Sequence, residues 1–128
     1  MIVLYVDNST KEHFGSQLLK MSKDRKSIET KTKRAMRIFL NSGIVQGESF
    51  MLAWGGYARG MVDFVGTKDY KTEKAFGKDY RRHKVQPGSK YGFDPEKGKT
   101  GIVTKNPRWL EEPIKVTQKH GRVWTETD

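Results

Sequence analysis

The sequence predicts an α+β fold: an N-terminal strand, two helices, then an antiparallel sheet with a long basic loop or arm. Three observations carry that expectation. A β-branched run, "IVLYV" at 2–6, opens the chain. Two stretches with apolar residues at helical spacing follow it. From Ile44 onward short apolar runs alternate with glycine, as strands and turns require.

The opening strand ends at "DNST", a cluster of helix-capping residues, and Glu12 stands three residues after Ser9, the spacing of a capping box. A first helix beginning near Ser9 or Thr10 carries Phe14, Leu18 and Met21 on one face, with Gly15 weakening its first half. Asp24 caps a second helix. On it Ile28, Ala35, Ile38 and Phe39 share a face, while Lys26, Lys31, Lys33, Arg34 and Arg37 mostly take the other side. "NSG" at 41–43 ends that helix, Gly43 suiting the left-handed position beyond a helix end.

"SFMLAW" at 49–54 and "GMVDFVG" at 60–66 predict strands joined through Gly55-Gly56, a pair suited to the positive φ angles of a tight hairpin. Tyr57, Ala58 and Arg59 lengthen that connection. "GIVTKNP" at 101–107 and "IKVTQKHGRVWTET" at 114–127 predict further strands, the latter a hairpin turning at Lys119-His120-Gly121. Between them and the first hairpin, residues 67–101 hold repeated glycines, two prolines and few aliphatic side chains, which predicts an extended basic loop or arm.

A chain of 128 residues fits a single domain spanning 1–128. Hydrophobic residues at 34 % and charged residues at 31 % leave room for a modest core beside a solvated or partner-bound segment. The absence of cysteine excludes a disulfide framework, a thiolate metal site and a thiol nucleophile. Apolar runs of five residues are too short for a membrane span or a signal-peptide core, so a cytoplasmic protein with no membrane partner is expected.

The net charge is +10, and residues 67–105 hold 11 Lys/Arg against 5 Asp/Glu. Such a field gathers polyanions without choosing among them. Within the arm Lys68, Lys71, Lys74, Lys78, Arg81, Arg82, Lys84 and Lys90 alternate with Tyr70, Phe76, Tyr80, Tyr91 and Phe93. Three readings stay open: cations on phosphate with rings under unpaired bases, an arm threaded onto a neighbouring subunit, or a solvated loop whose rings pack back onto the sheet. Asp69 and Asp79, in two copies of "KDY", can pair locally with lysine and blunt the pull on phosphate, which favours the subunit-binding arm.

Other candidates carry less. Gly98-Lys99-Thr100 has the end of a phosphate-binding loop without its first glycine, since position 93 is Phe, and predicts a turn. His13, His83 and His120 lack metal-ligand spacing, and only a meeting of His83 with His120 in space would suit acid–base cleavage of RNA. No cofactor or metal is implied and no catalytic residue is assigned, so no enzymatic activity is expected. Asp63 and Glu48 have no spacing that argues for paired carboxylates. Trp54 follows an apolar run and predicts core, whereas Trp109, between two prolines, predicts a possible interface.

The order of strand, capped helix, basic helix and strands, together with Tyr57-Ala58, Val62-Asp63-Phe64 and Gly66-Thr67, resembles the tail-completion family of long-tailed bacteriophages, which comprises head–tail connector or minor virion proteins. The similarity covers residues 1–67 at most. Phe64 and Gly66 have one extra residue between them, "GIVQGES" replaces the family's Asp-Thr-Gly segment, and the C-terminal end is strand-like rather than helical. The resemblance implies a non-enzymatic structural subunit that self-associates or joins other virion subunits, located in a host cytoplasm and then in a virion. The alternatives are a small basic nucleic-acid-binding protein acting alone, a phage-encoded inhibitor or a small RNase.

Overall fold

The computed structural model describes residues 1–6, 27–85, 88, 92–117 and 123–127. The predicted first helix, Asp24, His13, His120, Lys90 and Tyr91 lie outside the described residues. Within them the order is β1 (Ile2–Tyr5), β2 (Ser27–Lys31), α1 (Lys33–Leu40), β3 (Ser49–Trp54), β4 (Tyr57–Tyr70), α2 (Glu73–Lys78), α3 (Tyr80–His83), β5 (Lys99–Lys115) and β6 (Trp124–Glu126).

The six strands form one sheet in the order β2-β5-β4-β3-β1-β6. The mixed α+β class holds, but the expected wholly antiparallel sheet does not. β1 runs parallel to β3, with Val3, Leu4 and Tyr5 opposite Met51, Leu52 and Ala53. Parallel neighbours need a long crossover, and the chain from β1 to β3 supplies one.

Two expected boundaries also move. The predicted second helix is a strand in its first part, because Ile28 faces Val103 across the β2–β5 ladder. Thr32 then caps α1, its hydroxyl accepting from the Ala35 N–H at 3.1 Å. The expected strands at 101–107 and 114 onward are one strand of 17 residues. It survives Pro107 and Pro113 because the residues paired with β4 include Lys105, Arg108, Trp109 and Ile114, and the prolines fall in the bulges between them. The turn of the predicted C-terminal hairpin lies outside the described residues, and β6 pairs with β1.

The Gly55-Gly56 turn is tighter than expected. Both glycines have positive φ, +62° and +84°, so two residues close the hairpin and Tyr57 already pairs with Trp54.

The sheet rolls up. Lys31 on edge strand β2 reaches the carbonyl of Tyr5 on β1 at 3.0 Å, although three strands separate them in the sheet order. Leu4, Phe50, Leu52, Val62, Phe64 and Ile102 fill the inner face, and α1 adds Met36 and Phe39. Phe39 meets Phe50 and Phe64 edge-on, with ring centres 5.3 and 5.9 Å apart. The outer face is covered in two places. Val3, Tyr5, Met51 and Ala53 lie under Val116 and Leu110, while Ile28, Tyr70 and Val103 lie under Phe76, Val85 and Phe93.

Candidate nucleic-acid interface

In its described residues, the segment expected to be an extended arm is a packed module. β4 runs to Tyr70, and α2 and α3 follow almost without a break. Thr72 caps α2 through its hydroxyl, which accepts from the Ala75 N–H at 3.1 Å. Counting only aliphatic residues hides the reason for the packing. Phe76 is 4 % exposed and Tyr70 2 % exposed, and the two rings meet edge-on at 5.1 Å. Aromatic area replaces aliphatic area. Phe76 is therefore a core residue, which removes it from the expected contact surface, and Tyr80 is half-buried.

His83 locks the module. Its ring stacks on Phe76 with centres 4.1 Å apart. The Val85 N–H donates to Nδ1 at 3.0 Å, so Nδ1 is unprotonated, and Nε2 donates to the Phe76 carbonyl at 2.7 Å. Burial holds the imidazole's pKa below its ordinary value; the Lys99 charge adds to that, while the Phe76 carbonyl and Asp79 oppose it. A buried ring between two backbone groups on its own module is not placed for RNA cleavage.

Asp79 organises the charges. It accepts from Lys68 at 2.7 Å and from the Tyr70 hydroxyl at 2.8 Å, and Arg82 lies 3.6 Å away. Burial pushes its pKa up, but those two hydrogen bonds and the neighbouring cations outweigh it, and the carboxyl titrates below its usual value. Lys68 and Arg82 are thus ion-paired to an acid. Lys84 sits with its ammonium 5.7 Å from the Tyr80 ring centre.

Lys71, Lys74, Lys78 and Arg81 are exposed. The stripe they form starts at Lys71, just before the Thr72 cap, passes Lys74 and Lys78 on the side of α2 away from buried Phe76, and ends at Arg81 on α3. Among the described residues none of the four takes part in an ion pair. α1 offers a second exposed basic set, Lys33, Arg34 and Arg37. Lys33 and Arg34 stand in a first helical turn with no acid, where the helix dipole disfavours cations.

The turn leading into Gly98-Lys99-Thr100 is closed on Asp94 rather than open to a phosphate. Asp94 Oδ1 accepts from the N–H groups of Glu96 and Lys97 at 2.9 and 3.4 Å, and the Gly98 N–H closes the turn on the Asp94 carbonyl at 2.7 Å. Lys99 is buried, and burial holds its ammonium pKa low. The Thr100 hydroxyl donates to the Lys68 carbonyl at 3.1 Å.

Asp63 belongs to a polar network rather than to a carboxylate pair. It accepts from Ser49 at 2.7 Å, Arg108 at 3.0 Å and Asn106 at 3.3 Å. Trp109 is 50 % exposed, and Trp54 packs partly against the inner core and edge-on to Trp109 at 6.0 Å. Tyr57 and Arg59 join them, a grouping that sequence reasoning missed. The signal was available: a two-residue Gly-Gly turn makes Trp54 and Tyr57 cross-strand partners. Among the described residues no group of three His, Asp or Glu side chains is placed to hold a metal ion. No helix among them is long and apolar enough to cross a membrane.

No protein-family model matches the chain, and no curated protein matches it. The structure is similar to the crystal structure of ASCH from Zymomonas mobilis, with a TM-score of 0.64 and 10 % sequence identity. The match covers 99 % of this chain and 87 % of that one. At that identity the likeness concerns the fold.

It overturns the head–tail connector expectation, and it gives no support to the virion location or to virion subunit partners. The phage resemblance reached no further than residue 67, whereas the ASCH likeness takes in nearly the whole chain. Its residues have a plainer explanation. Tyr57-Ala58, Val62-Asp63-Phe64 and Gly66-Thr67 all lie along β4, where side chains alternate between inner core and outer face as any long central strand demands.

Proposed function

We propose that this chain is a nucleic-acid-binding domain, a binding module rather than an enzyme, whose contact surface is the basic face of α2 and α3. The observation that carries the reading is the stripe of Lys71, Lys74, Lys78 and Arg81. The four cations are exposed and outside the ion pairs of the described residues; Lys74, Lys78 and Arg81 stand on helices anchored by Phe76 and His83, and Lys71 just before them. Nearby, Asp79 faces Lys68, Tyr70 and Arg82, so it does not shield the stripe.

A folded basic surface suits phosphate contact better than an unfolded arm does. Its cations are already spaced, so little backbone ordering opposes binding. With the head–tail connector reading overturned by the fold comparison, the polyanion reading of the basic residues is the one that accounts for the net charge of +10.

The test is a titration of labelled mixed-sequence oligonucleotides at several salt concentrations. Replacing Lys71, Lys74, Lys78 and Arg81 together with Gln should weaken binding to all sequences alike. It should also flatten the dependence of log K on log salt by about 0.7 to 0.9 for each phosphate that is no longer neutralised. Unchanged affinity and slope in that variant, or no binding by the wild-type protein at low salt, would refute the proposal.

A further inference from the structure

Two of the exposed large hydrophobic side chains, Tyr57 at 40 % and Trp109 at 50 %, gather with Trp54 and Arg59 where β4 begins. The register explains the gathering. Trp109 faces Gly60 across the ladder, and no β-carbon there displaces the indole. Ile114 faces Ala58, and β5 bulges between these two pairs. Trp54 and Tyr57 are cross-strand neighbours on either side of the Gly-Gly turn.

Arg59 ties the rings together. Its Nε donates to the Trp54 carbonyl at 3.0 Å. Its guanidinium carbon lies 5.6 Å from the Trp54 ring centre and 5.5 Å from that of Tyr57. A β-carbon on residue 55 would come within 3.3 Å of the same guanidinium, a tight contact, and the positive φ of that residue favours glycine in any case. The result is a pre-arranged set of flat π surfaces with a fixed cation among them, two of its rings substantially open to solvent.

We propose that this patch is a stacking platform for an unpaired base, so that the nucleic acid bound is single-stranded. The proposal rests on the nucleic-acid reading above and gives it a substrate class. Bases expose their faces to side chains only when they leave a duplex stack, and ring stacking tolerates any sequence. Glu111 and Glu112, exposed on the β5 bulge, repel phosphates. They therefore favour contact by the base, whose exocyclic amino groups they can accept. Phosphate contact is left to the stripe on α2 and α3.

The experiment follows tryptophan emission and affinity for a single strand of about 16 nucleotides, the upper end of one compact domain's site size, and for a duplex of equal length. Trp109→Ala should weaken single-strand binding by about fivefold to a hundredfold. Duplex affinity and the salt slope should stay unchanged, and Trp109→Phe should recover most of the affinity. Adenosine, which carries no phosphate, should quench the wild-type emission and spare that of Trp109→Ala.

Equal single-strand affinity in wild type and Trp109→Ala overturns the platform and leaves the proposed function standing. If no oligonucleotide binds the wild-type protein, the proposed function fails, and the adenosine titration alone then decides the platform. Trp109-dependent self-association without adenosine quenching makes the patch a contact between copies of the chain and overturns the proposal.

Discussion

Two regions of the molecule combine rings with cations and use them in opposite ways. Around residues 68–85 the rings face inward and the cations outward: Phe76 and Tyr70 are buried, whereas Lys71, Lys74, Lys78 and Arg81 stand in solvent. Around the β3–β4 turn the rings face outward, and Arg59 lies among them as a tether. Composition alone does not distinguish the two. Where the backbone turns helical, side chains four apart share a face and the module splits into a wet stripe and a dry one. Where it turns through a two-residue hairpin, neighbouring rings are fixed as cross-strand pairs at the end of the sheet.

The largest expected difference between the regions is in stability. Phe76→Ala should cost about 3–5 kcal/mol in denaturant unfolding, because it removes a ring that Tyr70 and His83 enclose. Trp109→Ala, at a half-exposed site, should cost far less. Equal losses would mean that the exposed patch is as much a part of the core as the helical module.

Asp79 comes next. Asp79→Asn leaves Lys68 and the Tyr70 hydroxyl without their charged acceptor and should cost about 1.5–3 kcal/mol by the same measurement. The carboxyl titrates below its unfolded value, so its contribution is present above the ordinary carboxylate pKa and is lost as pH falls through the folded one. In the Asn variant that acid-range loss should shrink. An unchanged acid limb would show that the Lys68–Asp79–Tyr70 contacts do not hold the module in solution.

The smallest effect is at His83 and appears at milder pH. Its folded pKa lies below the ordinary value of 6.5, so between the two the unfolded chain binds more protons and stability rises with pH. Lowering the pH from 7 should therefore weaken the fold, by at most about 1.4 kcal/mol per pH unit for one proton. Protonation also turns Nδ1 into a donor facing the Val85 N–H. His83→Gln should flatten this part of the stability profile relative to wild type; a profile that keeps its slope would place the sensitive group elsewhere.

Much of the framework was legible in the chain. "IVLYV" supplies β1 and "SFMLAW" is β3 because a short, nearly continuous apolar run suits a strand covered on both faces. Gly55-Gly56 is the hairpin turn because both positions need positive φ. Asp79 pairs with lysine within its own segment, as its place between cations suggested. Of the expected contact residues, Lys71, Lys78 and Arg81 are exposed, Lys68 and Arg82 are ion-paired, and Phe76 is core.

By itself, then, the sequence determined the local choices: which runs are extended, where the tight turn falls and which side of the charge scale the surface takes. Each depends on residues close together in the chain. Only the tertiary structure decided that β1 lies parallel to β3, that residues 73–83 fold into helices over Tyr70 and Val103, and that Trp109 meets Trp54. These follow from pairing between strands far apart in sequence, where a shift of one residue exchanges the buried and exposed faces. A basic, ring-rich segment can lie in solvent or fold onto a sheet, and the outcome depends on whether the outer face of that sheet is still uncovered. Here Ile28, Tyr70 and Val103 formed an apolar surface that required covering, and Phe76 was the ring within reach.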